Sequence, residues 1–553
     1  MAVPVRRALC VLVLSVGVSL ASTTHAQDLA RMDQVVIART TDPTPFMGAV
    51  LVAQGSRVLL DKGYGLANME WRIPASPTTR FRLGSVTKQF TAAAILLLEQ
   101  EGRLSVSDLV SEKLPDAPAA WAGMTLEHLL THTSGIPNYT AFPDYQRVSI
   151  APVTTRQLVD RFRDRPLDFP PGDEFRYSNS GYAVLGLVIE TVSGESYAEF
   201  VQRNIFEKLG MADSGYDSHA AVIEQRASGY APGPSGLRNA AYLDMSVPHA
   251  AGGLYSTTHD LLTWQRALYG GTLLSKASLE KMTTPRLGGY AYGLTVPAGA
   301  TRPVIQHGGG INGFAAMLAY YPTTETSVVV LSNVGGPAAA AIAADLGALA
   351  HGDIVQLPSE RIDVALTPEA LSAFVGTYQH PSGAMMYIRL TDGALTGQIV
   401  GQPQVALFAE TPTRFFLKVV DAQIDFVRDA AGAVTHLVLH QNGASIEWAR
   451  TGATPPPVPA PRVAITVDRA VLERYPGVYE LKPGFDLTVS LGDGGLMAQA
   501  TGQGAFPLSA ESPTRFFFEP ASITLEFVSG ADGAITHMIF EQGGGRTEAR
   551  RKP

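Results

Sequence analysis

The stretch "FRLGSVTKQF", Phe81 to Phe90, decides how this chain is read. It sets Ser85 and Lys88 three residues apart, directly after Gly84, at the head of a run rich in helix formers (Val86–Gln100) that Gly102 is placed to end. Side chains three apart on a helix share a face. A serine is a weak nucleophile unless a neighbouring base takes its proton, and a lysine is such a base once burial or a nearby cation lowers its pKa. The helix start adds a favourable field, and the Ser85 N–H adds a donor for a developing oxyanion. The same spacing recurs at Ser278-Leu279-Glu280-Lys281. Spacing alone therefore fits a plain helix-face pair as well as a nucleophile with its base.

Order along the chain separates the two copies. Downstream of Ser85 comes "FRYSNSGYAVLG", with Tyr177-Ser178-Asn179, the only Tyr-x-Asn of the sequence. A loop before the apolar helix Tyr182–Gly194 can project Tyr177 into a shared cavity, where a phenol near cations moves a proton. The bland reading is a packed tyrosine and an asparagine cap. Further on, "IQHGGGINGF" sets His307 before Gly308, Gly309 and Gly310, leading into a strand pair over Ala315–Asn333. Consecutive glycines let a backbone come close to a ligand, and the N–H near Gly310 would complete an oxyanion hole. The Ser278 copy has no such train, and a Glu stands beside its lysine.

With these motifs, and with "LLTHTSGIPNY", "FPPGDEFRYSNSGYAVLGLVIETVSG" and "AAGGLYSTTHDLLTW", the segment from about Phe46 to Asn333 resembles the serine β-lactamase and penicillin-recognising hydrolase superfamily. It is similar to class C β-lactamases, D-aminopeptidases and related esterases. The resemblance implies Ser85 as the acylated nucleophile, Lys88 as its base and Tyr177 as a second proton shuttle. It implies that Asn179, His307, Gly308 and Gly309 line the site, and that the backbone N–H groups of Ser85 and Gly310 form the oxyanion hole. No cofactor and no metal are implied. One departure narrows the substrate. The third motif of penicillin-binding proteins and most β-lactamases begins with lysine, whereas here it begins with His307. Lysine is a fixed cation for a substrate carboxylate, and an unperturbed histidine is mostly neutral at pH 7. That favours D-aminopeptidase-like enzymes and esterases over β-lactamases and DD-peptidases.

The remaining constellations carry less. His128 and His132 stand four apart in "LEHLLTHTSG", a spacing that binds zinc on a helix, but no third ligand follows. There is no Gly-x-Ser-x-Gly elbow, phosphate-binding glycine loop or His-Glu-x-x-His.

The chain opens with Arg6 and Arg7, an apolar run from Ala8 to about Leu20 and the small-residue pattern Thr24-His25-Ala26. That is the pattern of a secretory signal peptide (residues 1–26), and it implies a periplasmic or secreted protein with no membrane span after cleavage. Cleavage removes two arginines and no acid, taking the formal charge from −8 to −10, and also removes Cys10, the single cysteine. The mature chain then has no disulfide and no thiol nucleophile. Its mild acidity argues against nucleic-acid binding.

At 553 residues the chain is too long for one core, and an internal repeat shows where it divides. "FVGTYQHPSGAMMYIRLTDGALTGQ", "PTRFFL" and "GAVTHLVLHQNG" recur as "YPGVYELKPGFDLTVSLGDGGLMAQ", "PTRFFF" and "GAITHMIFEQGG". All three pairs are collinear at one offset. Short alternating runs with turn residues between them predict antiparallel strands closed into small barrels. The expected architecture is thus an α/β domain with a largely antiparallel sheet (27–354), to which the family resemblance adds flanking helices and a helical subdomain. Two all-β antiparallel barrel domains follow (363–452 and 464–553), joined by a proline-rich linker (453–463) and similar to the lipocalin-like domains of D-aminopeptidases. The partner expected is a small peptide, amide or ester. The readings in play are a peptidase or amidase, a carboxylesterase, a β-lactamase or DD-peptidase, and a binding or receptor protein that uses the fold as a pocket.

Overall fold

Gly55 has a φ of +56°, so the chain turns tightly there between Gly48–Gln54 and Arg57–Tyr64. These strands form the expected hairpin in the computed structural model. The structure describes residues 20–552 except 41–44, 234–235, 299–301, 442–443, 457–461, 463, 483–484, 493, 502–504, 519–522, 531 and 543–544. Most of the signal-peptide segment and much of the proline-rich linker lie outside the described residues. Two compact units divide after Leu357.

In the first unit the hairpin joins a five-stranded antiparallel sheet ordered Ile305–Ile311, Phe314–Tyr321, Thr326–Ser332, Gly48–Gln54, Arg57–Tyr64. Its central strands are buried on both faces, which is why they are apolar throughout rather than alternating. Val50, Val52, Val328 and Val330 pack with Val35 and Val36 of the helix Leu20–Ala38 and with Ile342 and Leu346 of Ala338–Ala350. Leu51, Val329 and Leu331 belong to the larger core, with Phe90 and Trp264. The helix Thr87–Gln100 is buried from Thr87 to Leu98. A helix surrounded on all sides is apolar around its whole girth, so the one lysine in it stands out. Several short helices, among them Leu126–Leu130, Thr155–Asp160 and Tyr197–Val201, gather around Asn179–Ser193, which starts three residues earlier than its apolar run indicates and ends at Gly194, φ +78°.

The second unit holds two nearly closed, nine-stranded antiparallel sheets of identical strand order. In each, the two end strands are neighbours in sequence, Val405–Ala406 and Phe408–Ala409 in the first and Phe506–Pro507 and Ser509–Ala510 in the second. A single buried leucine, Leu407 or Leu508, lies between them, so the sheet curls round and leaves little open edge. The duplication extends to individual contacts. Tyr378 Oη donates to Phe374 O at 2.8 Å, and Tyr479 Oη to Tyr475 O at 2.7 Å. The arginines of "PTRFF" serve each barrel: Arg414 pairs with Asp425, and Arg515 with Glu511, Glu526 and Glu541.

Candidate active site

Gly84 makes the turn that presents the serine. Its φ of +52° is in the left-handed region, and a Cβ there would meet Gly310 N and O at 2.9 Å. Only glycine meets both demands. Gly84–Val86 form one 3-10 turn that runs into the helix Thr87–Gln100, so Ser85 sits just ahead of the helix. The strand Ile305–Ile311 packs against this turn, and a Cβ on Gly309 would lie 1.9 Å from Leu83 O. The glycine run is thus itself a strand at the sheet edge, where it was expected to lead into one. Glycine weakens strands in general but permits this close backbone approach.

Lys88 is fully buried. Its Nζ lies 3.1 Å from Ser85 Oγ, 2.9 Å from Asn179 Oδ1 and 2.8 Å from Ala251 O. Burial holds its pKa well below the usual amine range, which favours the neutral amine. Carbonyl oxygens only accept, so Asn179 and Ala251 take the two N–H bonds of that amine, and its lone pair faces Ser85 Oγ. The Ala251 carbonyl is placed by the short helix His249–Gly252, which packs so tightly on Asn179–Ser193 that a Cβ on Gly186 would lie 2.6 Å from the His249 ring.

Tyr177 Oη donates to Ser85 Oγ at 2.8 Å. Burial raises its pKa, the Ser85 contact acting in the opposite sense, so the phenol stays protonated at neutral pH. One oxygen is therefore flanked by an amine held towards its neutral form and a phenol held in its protonated form. Displacement of protonation equilibria in this way marks a base and an acid.

The Ser178 N–H donates to His132 Nδ1 at 3.2 Å and the Asn179 N–H to Asn138 Oδ1 at 3.1 Å. Two side chains from the loop after Leu126–Leu130 thereby satisfy N–H groups at the start of the Asn179 helix. His132 is a member of the site that motif reading missed. It is buried, its ring centroid lies 4.2 Å from that of Tyr177 and 4.5 Å from that of Tyr290, and its Nε2 has no hydrogen-bond partner among the described residues. Burial first, then the nearby Lys88 and His307, keeps its pKa well below normal. The helix ends at Leu130 and His132 has a φ of +59°, so His128 and His132 do not share a helix face. His128 Nδ1 instead accepts from the Thr125 N–H at 3.2 Å, closing a capping box. Among the described residues no cluster of three His, Cys, Asp or Glu is placed to hold a metal.

His307 is 4% exposed. Nδ1 faces Gly308 O at 2.6 Å and must carry the proton, so Nε2 accepts from Tyr290 Oη at 2.8 Å. Burial, aided by Lys88, lowers its pKa to about 4. The ring is neutral at pH 7 and both nitrogens are occupied. The second Ser-x-x-Lys does not pair: Lys281 Nζ reaches Glu99 Oε2 at 2.8 Å, while Ser278 Oγ lies 3.0 Å from Ser275 Oγ.

Above Ser85 opens a cavity of about 180 Å³ bordered by Gly84, Ser85, Asn179 and Gly310. The two expected oxyanion donors, Ser85 and Gly310, both belong to its wall. His307, Gly308 and Gly309 are not among the residues that border it, although the His307 ring centroid is 6.4 Å from that of Tyr177.

Comparison with known proteins identifies the family. The family described as "Beta-lactamase" matches residues 44–352, and a "Domain of unknown function" family matches 360–450 and again 461–550. The chain is 30% identical over 437 residues to "Penicillin-binding protein 4*" of Bacillus subtilis (strain 168), spanning 73% of this chain and 95% of that protein. Among solved structures, the octameric penicillin-binding protein homologue from Pyrococcus abyssi is 26% identical with a TM-score of 0.56, over 76% of this chain and 100% of that one. A penicillin-binding protein from Bacillus halodurans is 30% identical with a TM-score of 0.52, over 59% of this chain and 98% of that one. The chain belongs to the β-lactamase family of serine hydrolases.

Proposed function

We propose that the protein is an exported serine hydrolase that forms an acyl-enzyme on Ser85 and cleaves small amides or peptides. The observation that carries this reading is the pair of contacts on one oxygen, Lys88 Nζ at 3.1 Å and Tyr177 Oη at 2.8 Å from Ser85 Oγ. Lys88 takes the Ser85 proton as Oγ attacks the scissile carbonyl carbon, and the N–H groups of Ser85 and Gly310 receive the oxyanion. Tyr177 gives its proton to the leaving nitrogen or oxygen as the C–N or C–O bond breaks, and is reprotonated from Lys88. Water then enters on the same base and hydrolyses the ester on Ser85. A receptor that only binds has no use for this pair.

Ester and amide cleavage share these steps, so carboxylesters form the second reading. A neutral His307 in place of the family's lysine weighs against substrates that need a fixed cation, while the names of the relatives make a β-lactam the proper control. Export rests on the pattern of residues 1–26, and among the described residues no helix is long and apolar enough to cross a membrane. The test is a panel of nitrophenyl esters, a chromogenic cephalosporin and L- and D-aminoacyl anilides, each anilide both with its free amine and N-acetylated. Anilide turnover that is lost in Ser85→Ala supports the amidase reading; turnover of esters alone would replace it with the esterase.

A further inference from the structure

The geometry of the cavity points to the class of acyl group. We propose that this site takes an uncharged acyl group, an N-blocked aminoacyl, arylacyl or branched aliphatic residue. It excludes substrates with a free ammonium or a carboxylate beside the scissile bond. This rests on the acyl-enzyme reading of Ser85 and adds its specificity.

Thirteen described residues line the cavity, and none carries a charged side chain. Its walls are the rings of Tyr139 and Tyr145 with Leu243, Pro248 and Ile311. Four of the polar side chains among them are already engaged. Asn179 gives Oδ1 to Lys88 and Nδ2 to Thr140 Oγ1 at 3.2 Å. Thr140 Oγ1 donates to Asn138 Oδ1 at 3.1 Å, Tyr139 Oη to Val247 O at 2.7 Å, and Asn312 Nδ2 to Ala241 O at 2.9 Å.

The charges nearest in sequence are engaged as well. Asp144, next to Tyr145, is held by Arg161 at 3.0 and 3.1 Å. Asp244, next to Leu243, accepts from the Ser246 N–H and Oγ at 3.0 and 2.6 Å. Arg82 is bound to Asp217 at 2.6 Å. His307 is buried with both nitrogens occupied. An ammonium or carboxylate entering here gives up part of its hydration and finds no counter-charge among the lining residues, and Lys88 beside Ser85 is held towards its neutral amine, so its burial is unfavourable. An aromatic or branched group finds matching walls. At about 180 Å³ the space is below the roughly 300–1,000 Å³ of drug-sized sites. It holds one acyl residue and the scissile group, not a long peptide.

The experiment compares kcat/KM of the purified full-length protein on matched 4-nitroanilides and 4-nitrophenyl esters. The acyl groups are N-acetyl-phenylalanyl, phenylalanyl with its free amine, and hemisuccinyl, the aminoacyl compounds in both stereochemistries, with Ser85→Ala as the control. The neutral compound should exceed both charged ones by at least about tenfold. The free amine should gain on the neutral compound as pH rises through its own pKa. A charged substrate turned over as well as the neutral one, by a reaction that Ser85→Ala abolishes, overturns the inference and leaves the acyl-enzyme intact. Turnover that survives Ser85→Ala overturns the acyl-enzyme reading and this inference with it.

Discussion

Gly309→Ala is the substitution whose effect follows most directly from the backbone. The new Cβ would lie 1.9 Å from Leu83 O, where contacts under 3.0 Å are essentially never seen. The strand Ile305–Ile311 and the nucleophile turn must therefore separate by about 1.1 Å. Both groups on the moving surfaces matter, since Ser85 follows Leu83 by two residues and the Gly310 N–H is next to the new side chain. A misplacement of about 1 Å in a reacting constellation costs about 10²-fold in rate, and overpacking costs about 1–3 kcal/mol in stability. The assay is the rate of Ser85 acylation by a fluorophosphonate, followed by intact mass, beside a thermal melt to confirm folding. Gly308→Ala is the control on the same strand, because its Cβ would meet Met317 Sδ at 3.6 Å, an ordinary contact. It should stay within about twofold of the parent. A folded Gly309→Ala protein that acylates at the parent rate would refute the idea that this close approach sets the nucleophile's position.

Three other outcomes are expected. Tyr177→Phe keeps the ring against His132 but removes the hydroxyl, so steady-state kcat/KM should fall about 10²- to 10⁴-fold with little change in melting temperature; an unchanged kcat/KM would exclude the phenol as proton shuttle. His307 drops from 6.5 to about 4 on folding, so between those values the unfolded chain binds the extra proton and native stability falls as pH falls, by about 3 kcal/mol over the window. Denaturant titrations at pH 4, 5, 6 and 7 should show this loss lessened in His307→Gln, and parallel curves for the two proteins would contradict it. Asp217, fully buried between Arg82 at 2.6 Å and Arg226 at 2.8 Å, should cost about 3–5 kcal/mol as Asp217→Ala because charges are left unpaired, read as a lowered denaturant midpoint.

Local features of the fold were legible in the sequence because short-range rules decide them. Gly55-Ser56 marks the first hairpin, Gly194 stops the Asn179 helix, and the duplicated "PTRFF" and turn segments announce two like barrels. Ser85, Lys88 and Tyr177 were found by their order, and the structure brings the three together. What stayed hidden depends on atoms or distances that a sequence does not display. The Ala251 acceptor of Lys88 is a backbone oxygen, placed by the packing of Gly186 against His249. His132 reads as half of a zinc spacing until a positive φ turns it away from His128 and under Tyr177. His307 reads as the opening of a site-lining motif. Its burial, and the bond of Nε2 to Tyr290 seventeen residues away in sequence, come from packing that the motif does not display. The neutrality of the cavity comes from several separate segments, each unremarkable by itself.

The most direct test of the central claim is identification of the residue that carries the acyl group. Rapid quench of the protein with a 4-nitrophenyl ester, then intact mass and peptide mapping, should place one acyl group on Ser85. No adduct should form in Ser85→Ala, and Lys88→Met should slow its formation by about 10²-fold or more. An acyl group found on another residue, or full turnover by Ser85→Ala, would contradict the account.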